Sequence, residues 1–90
     1  VFAIKDINPQ APVHLLIIPK KHFSTVLEIQ KEDHRLIGSI YSIANQLAKN
    51  NGLDKTGFRI VVNCGVEAGQ SVFHIHYHLL GGRSFKWPPG

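Results

Sequence analysis

Short apolar runs and one long helical repeat divide the first half of the chain into predicted elements. Apolar and β-branched residues at positions 1–6 and 13–19 predict two strands. Two prolines within residues 8–12 predict a turn between them, because proline fixes φ and removes an N–H donor. From residue 31 to residue 50 the apolar positions recur at helical spacing, which predicts one long helix that stops near Gly52.

The second half of the chain predicts two further strands. Residues 58–63 form an apolar run, and residues 72–80 alternate strictly between two classes of side chain. A loop with two glycines, residues 64–70, separates them. The order is strand, strand, helix, strand, strand. We therefore expect an α+β fold with one long helix over a mostly antiparallel sheet, in a single domain over residues 1–90.

Composition and charge exclude several classes of protein. Hydrophobic residues make up 43% and charged residues 18% of the chain, which is typical of a globular domain. No apolar run is long enough to span a membrane, and no secretory leader is visible. The single cysteine argues against a disulfide scaffold and favours a reducing compartment, so we expect the cytoplasm. The net charge of +4 would attract phosphates, but the basic residues are too scattered to predict a nucleic-acid partner.

Three histidines occupy every second position of the last predicted strand. Residues two apart in a strand share a face, so His74, His76 and His78 should line one side of the sheet. The apolar residues between them should face the helix. Solvent-facing strands more often carry lysine, glutamate or threonine, and imidazole has the pKa nearest neutrality. The row therefore indicates nucleophilic, acid–base or metal chemistry.

Two kinds of chemistry fit this row of imidazoles. Three histidines can form an open catalytic zinc site, although ligand histidines usually have a carboxylate or carbonyl partner and no acidic residue lies near His76 in sequence. Alternatively, a neutral imidazole attacks phosphorus while a neighbouring ring holds the phosphoryl oxygens. Gly69, Gln70 and Ser71 would then offer backbone N–H groups and a hydroxyl to the anion.

The segment 74–80 has the pattern His-φ-His-φ-His-φ-φ, in which φ is an apolar residue, and it resembles the signature of the histidine triad (HIT) family. The rest of the chain is similar to the histidine triad nucleotide-binding (Hint) branch of that family. The third histidine, His78, distinguishes it from the transferase branch, which carries glutamine there. The C-terminal tail distinguishes it from the diadenosine-polyphosphate hydrolases. The matching stretches are residues 6–12, 18–22, 61–63, 68–72 and 87–90.

The resemblance implies a HIT-like fold and a purine nucleoside phosphoramidase. In such proteins the central histidine, here His76, attacks the α-phosphorus of an adenosine phosphoramidate and becomes nucleotidylated, and water then releases AMP. These proteins need no metal and form two-fold dimers with a continuous sheet across the interface. The chemistry is consistent with the residues, because a covalent intermediate divides one difficult displacement into two.

The resemblance also implies a role for each residue around the triad. The carbonyl of His74 would take the Nδ1 proton of His76, which leaves Nε2 free to attack. His14 would lie behind the triad and steady it through His74. His78 and Ser71 would contact the phosphate or the leaving amine, which departs poorly unless it is protonated.

The nucleotide-binding residues follow from the same resemblance. Asp6 would hold the ribose hydroxyls, and Ile7 would lie against the base. Asn63, Gly69 and Gln70 would line the phosphate end, together with Ser71, His76 and His78. The family carries another strand, often with a helix, ahead of the first residue here, so we expect one wall of the base pocket to be missing.

Two other functions remain open at this stage. The first is a nucleotide-binding scaffold protein with little turnover, and the second is a zinc-dependent hydrolase. The remaining residues of possible chemical interest have simpler interpretations. We expect His22 and His34 to be solvated, Cys64 to be a small buried thiol and Trp87 to lie in an interface or the core.

Overall fold

Four antiparallel strands and one long helix form the fold, which confirms the predicted α+β class. A computed structural model describes residues 1–90. The strands are β1 (Phe2–Lys5), β2 (Val13–Ile18), β3 (Phe58–Val61) and β4 (Tyr77–Gly81). The helices are α1 (His34–Asn50) and α2 (Leu53–Thr56), and two 3-10 turns, Val26–Glu28 and Lys31–Asp33, precede α1.

The last strand in sequence is a central strand of the sheet. The strand order is β1-β2-β4-β3, so β4 pairs with β2 on one side and with β3 on the other. Its alternating residues Tyr77 and Leu79 are buried, whereas all four residues of the edge strand β1 are exposed. A neighbouring strand therefore supports β4 on each side.

Helix α1 covers one face of the sheet. Ile17, Tyr77 and Leu79 from the strands pack with Ile40 and Ala44 of α1 in one buried cluster. Because side chains alternate along a strand, the neighbouring residues point to the opposite face. The helix thus packs against the apolar side of β4 and leaves the other side open for His78, as the alternation predicted.

The fourth strand is shorter than predicted. The alternation indicated residues 72–80, but β4 begins at Tyr77, so of the three histidines only His78 lies in a strand. The reason is its partner: β2 ends at Ile18, and the following Pro19 has no N–H to continue the ladder. Phe73 precedes the three histidines, and the same alternation predicts that it faces the core, but it is 49% exposed.

The helical segment also differs in detail from the prediction. Helix α1 begins at His34 rather than at residue 31, because residues Lys31–Asp33 form a tighter 3-10 turn. Gly52, with φ +74°, ends the helix as expected, but the chain then forms the short helix α2, which the pattern did not predict. None of the helices has the length and apolar character that crossing a bilayer requires.

Candidate active site

A backbone carbonyl orients the central histidine. Nδ1 of His76 lies 2.8 Å from the carbonyl oxygen of His74. A carbonyl oxygen only accepts, so Nδ1 of His76 carries the proton and donates it. In the neutral ring the lone pair is then on Nε2, which makes that atom a nucleophile. This contact is the one that the resemblance implied.

His74 is held by a second backbone carbonyl and by a residue that the sequence analysis did not include in the site. Nε2 of His74 lies 2.9 Å from the carbonyl oxygen of Pro19, so that nitrogen carries the proton. Its Nδ1 lies 3.1 Å from Nδ1 of His22. The other nitrogen of His22 is 3.3 Å from the hydroxyl of Ser24. His22 is exposed, as expected, but it contacts the triad.

His14 contacts His78 rather than His74, so the expectation that it acts through His74 is wrong. Nε2 of His14 lies 2.8 Å from Nδ1 of His78. The cause is strand register: β2 and β4 pair His14 with Leu80, which places His78 as the diagonal neighbour on the same face. His14 therefore supports the third histidine of the triad instead of the first.

Asp6 lies beside this pair of rings. Its N–H donates to the carbonyl of His14 over 3.0 Å, and its Oδ2 lies 3.4 Å from Nε2 of His14. The other carboxylate oxygen accepts from the N–H of Asn8 at 2.8 Å. The resemblance assigned this carboxylate to the ribose hydroxyls, and the structure brings it to the same cluster as His78.

The environment keeps His78 neutral. Burial lowers the pKa of His78 below its usual 6.5, and the neighbouring rings of His76 and His14 lower it further, while Asp6 acts in the opposite direction. The rings of His76 and His78 have centroids 5.1 Å apart. At neutral pH His78 therefore stands uncharged beside His76, which suits a hydrogen-bond donor next to a nitrogen nucleophile.

An apolar cavity opens next to the nucleophile. It has a volume of about 370 Å³. The strands β1 and β2 supply most of its walls, on the sheet face away from α1. An apolar cleft with a few polar groups at one end is the usual form of a small-molecule site. The lining residues are Phe2, Ile4, Leu16, Ile18, Val72, His74 and His76.

The side chain of Gln70 makes its hydrogen bonds within the protein. Its predicted role at the phosphate is therefore corrected. It is only 6% exposed. Its Oε1 accepts from the N–H of Gly65 at 2.8 Å, and its Nε2 donates to the carbonyl of Ser24 at 2.7 Å and to that of Val72 at 3.2 Å. Gln70 therefore ties the loop 64–70 to the segment around Ser24.

The predicted anion nest in this loop is also changed by the structure. The N–H of Gly69 donates to Val66 and the N–H of Gln70 donates to Gly65, both within the loop, so neither is free for a phosphate. Gly69 has φ +87°, a turn conformation that glycine adopts without strain. Ser71 is exposed and Asn63, just after β3, is half-buried, so both remain candidates for contact with substrate.

Three residues lie in surroundings other than those that the sequence analysis predicted. Ile7 is fully exposed and lines no part of the apolar cavity, so the structure does not place it in a base pocket. Trp87 is 82% exposed, which rules out a core position in this chain. Of the two positions predicted for it, only the one in an interface remains. Cys64 is half-buried rather than buried, while His34 is exposed as expected.

Comparison with known proteins decides the family. A family model described as the HIT domain matches residues 1–85. The chain belongs to the HIT family. This HIT protein is 51% identical over 88 residues to an uncharacterized HIT-like protein from Synechocystis sp., in an alignment that covers 98% of this chain and 76% of that protein.

Solved structures of HIT proteins have the same fold. A HIT family hydrolase from Legionella pneumophila Philadelphia 1 superposes with a TM-score of 0.96 at 51% identity, covering 98% of this chain and 79% of that one. A histidine triad nucleotide-binding protein from Candida albicans superposes with a TM-score of 0.78 at 31% identity, covering 96% and 66%. The Legionella pneumophila structure supports a hydrolase in general.

One group of potential metal ligands lies at the triad, and its chemistry does not suit zinc. Ligand atoms of Asp6, His14 and His78 lie within 4.8 Å of one another. However, the N–H of Gln10 donates to Nδ1 of His14 over 3.0 Å. The neutral ring of His14 must then carry its proton on Nε2, the atom that would face the metal. A zinc ion there would have to displace this proton and leave no N–H on the ring.

His22 and His74 form a second pair of contacting histidines. The Nδ1 atoms of His22 and His74 face each other, while their Nε2 atoms contact Ser24 and the carbonyl of Pro19. Ligand histidines commonly have such outer partners. A zinc-bound histidine triad family protein from Mycobacterium smegmatis superposes with a TM-score of 0.72 at 31% identity, covering 98% of this chain and 63% of that one. Two histidines are only two of the four ligands that a structural zinc site requires, so this pair alone does not form one.

Proposed function

We propose that this HIT protein is a purine nucleoside phosphoramidase, a hydrolase that cleaves the P–N bond of adenosine phosphoramidates and releases AMP. The observation that carries the proposal is the hydrogen bond from Nδ1 of His76 to the carbonyl of His74, at 2.8 Å. It leaves Nε2 of a neutral imidazole free beside an apolar cavity. The nucleotide-binding relative from Candida albicans supports the same substrate class.

The first half of the reaction transfers the nucleotidyl group to His76. The lone pair on Nε2 forms a bond to the α-phosphorus, and the P–N bond of the substrate breaks with its electron pair on the amine nitrogen. That nitrogen takes up one proton from solvent, because an amine anion is a very poor leaving group. The ring of His78 lies close enough to hydrogen-bond to the phosphoryl group during this step, since its centroid is 5.1 Å from that of His76.

The second half of the reaction hydrolyses the intermediate. A water oxygen attacks the phosphorus, the bond to Nε2 of His76 breaks, and its electron pair returns to the ring. The water releases one proton to solvent, which balances the proton taken up by the amine. His76 then regains its lone pair on Nε2, while Nδ1–H still donates to the carbonyl of His74.

The apolar cavity provides a place for the base. Purine rings bury well against aliphatic and aromatic side chains, and this cavity of about 370 Å³ begins at His74 and His76. Its walls include Phe2 and Ile4, both partly exposed on β1. The ribose would then extend toward the cluster that contains Asp6, whose carboxylate can accept from two hydroxyls.

The direct test is product formation. We expect wild-type protein to release AMP from adenosine phosphoramidate, detected by chromatography, and His76→Ala to release none above background. Tight AMP binding without turnover would instead favour the scaffold function. Loss of activity to a chelator, with recovery on addition of zinc, would favour a zinc hydrolase.

We also propose that the protein acts in the cytoplasm as a two-fold dimer, joined at β3. This strand is at an edge of the sheet and has no partner on its outer side. Exposed aromatic side chains lie on it and on the nearby tail, at Phe58 and Trp87, and Arg59 ties the two together by donating to the carbonyl of Lys86. Sedimentation should give the mass of two chains; a monomer at all concentrations would contradict this.

A further inference from the structure

The turn between β1 and β2 points a backbone donor at His14. The N–H of Gln10 donates to Nδ1 of His14 over 3.0 Å, and the His14 ring is only 6% exposed. A backbone N–H can only donate, so Nδ1 must hold a lone pair. A neutral imidazole has one N–H, which in His14 is therefore on Nε2.

The proton on Nε2 of His14 determines which nitrogen of His78 carries a proton. This atom lies 2.8 Å from Nδ1 of His78 and 3.4 Å from Oδ2 of Asp6, so the His78 nitrogen is the nearer acceptor. Nδ1 of His78 must then hold a lone pair as well. The single N–H of neutral His78 is consequently on Nε2, the ring atom that does not face His14.

We propose that the backbone N–H of Gln10 is a positioning group that sets the tautomers of His14 and His78, so that His78 presents Nε2–H to the phosphoryl group of the substrate. This inference rests on the proposed function and extends it to a turn that touches no reacting atom. Phosphoryl oxygens only accept hydrogen bonds. With the opposite tautomer, His78 would direct a lone pair at them and the stabilisation of developing charge would be lost.

The lowered pKa of His78 agrees with the assignment. Burial lowers the pKa of His78, and the neighbouring His76 and His14 contribute in the same direction. A second proton on Nδ1 of His78 would meet the Nε2–H of His14 across 2.8 Å. A doubly protonated His78 therefore does not fit this contact.

Arg83 holds the Gln10 residue in place. Its Nε donates to the carbonyl of Gln10 at 2.9 Å, and its Nη1 donates to the carbonyl of Ser84 at 3.0 Å. Its guanidinium also lies over the ring of Phe85, 4.3 Å from the centroid. An exposed side chain with three such contacts has little freedom, so the carbonyl of Gln10 stays close to one position.

A pair of substitutions at Gln10 separates its N–H from its side chain. Gln10→Pro removes the N–H, whereas Gln10→Ala keeps it and removes only the side chain. With adenosine phosphoramidate and the full chain, we expect Gln10→Pro to lower kcat by about 10²-fold, as for loss of one charge-stabilising donor. Gln10→Ala should stay within about twofold of wild type. Equal rates for the two variants, both folded, would overturn the inference.

Nitrogen-15 NMR of the imidazoles tests the tautomers of His14 and His78 even if Gln10→Pro does not fold. In wild type and in Gln10→Ala, we expect Nδ1 of both His14 and His78 to be unprotonated and Nε2 to be protonated. A proton on Nδ1 of either ring at neutral pH would overturn the inference. The spectrum does not depend on turnover, so an inactive wild type would refute the proposed function alone, while an active enzyme with the other tautomers would refute this inference alone.

Discussion

The Nε2 atom of His14 lies 2.8 Å from the Nδ1 atom of His78, although the two residues are 64 positions apart in sequence. This contact gives His14 an indirect influence on the reaction, because it reaches the substrate only through another ring. We predict that His14→Ala lowers kcat by about 10–10²-fold, whereas His76→Ala lowers it by about 10⁴-fold or more. Steady-state kinetics on adenosine phosphoramidate measures both. His34→Ala, an exposed histidine of α1, is the control and should have wild-type rates. Equal losses for His14→Ala and His76→Ala would contradict the indirect role.

The apolar cavity predicts a substitution that affects binding more than chemistry. Ile4 lines this cavity and is partly exposed on the edge strand β1, so Ile4→Ser should leave the fold intact. We expect KM for the nucleotide to rise about 10-fold with little change in kcat, since the pocket then loses apolar contact with the base. Leu27→Ser, exposed and outside the cavity, is the matched control. An unchanged KM in the Ile4 variant would place the base elsewhere.

The hydrogen bonds of Gln70 predict a structural role. Gln70→Ala would leave the N–H of Gly65 and the carbonyl of Ser24 without their partner, so we expect the free energy of unfolding to fall by about 2–3 kcal/mol. Urea denaturation measures this loss. In the control Gln46→Ala, which removes a single exposed contact with Asn50, the change should stay within about 0.5 kcal/mol. If Gln70→Ala kept its stability and raised KM instead, the side chain would belong to the phosphate site after all.

The ion pair between Lys21 and Asp33 predicts how stability depends on pH. The hydrogen bond from Lys21, at 2.5 Å, lowers the pKa of Asp33 below its usual 3.8, and the N–H of Gln30 adds to this effect. The unfolded chain therefore binds a proton at this position more readily than the folded one. The stabilisation is fully present above pH 3.8 and is lost as pH falls through the lower, folded pKa. The pKa of Lys21 is raised above 10.5, so the pair also weakens as pH rises through that higher value.

The variant Asp33→Asn isolates this contribution. Urea midpoints measured across the acid range should fall steeply for wild type below pH 3.8 and less steeply for the variant. Parallel curves would show that the pair contributes nothing to acid stability. Glu67→Gln, an exposed carboxylate outside this ion pair, is the control and should follow the wild-type curve.

Much of the fold could be predicted from hydrophobic periodicity, because burial against α1 imposes the period of each element. The apolar residues of β4 and α1 that meet in the core, such as Tyr77 and Ile40, follow that periodicity. The ends of elements could not be predicted as well. The predicted fourth strand was longer than β4 because residues 72–76 continue the alternation. Strand pairing also requires a partner, and β2 ends just before Pro19.

In the candidate site, too, some features follow from the spacing of residues and others do not. Spacing alone predicted that His74, His76 and His78 share one face, because that follows from the strand period. The contact between His14 and His78 depends on the register of β2 against β4, and residue spacing carries no information about register. His22 was missed for a similar reason, because it meets His74 only where the two chain segments leave the sheet side by side.

The central claim is that Nε2 of His76 attacks phosphorus and forms a covalent intermediate. Intact mass spectrometry after rapid acid-free quenching of the reaction, followed by peptide mapping, tests this claim most directly. We predict a mass increase of one adenylyl group, located on the peptide that contains His76 and absent from His76→Ala. AMP release without any adduct, or an adduct on another residue, would contradict the account.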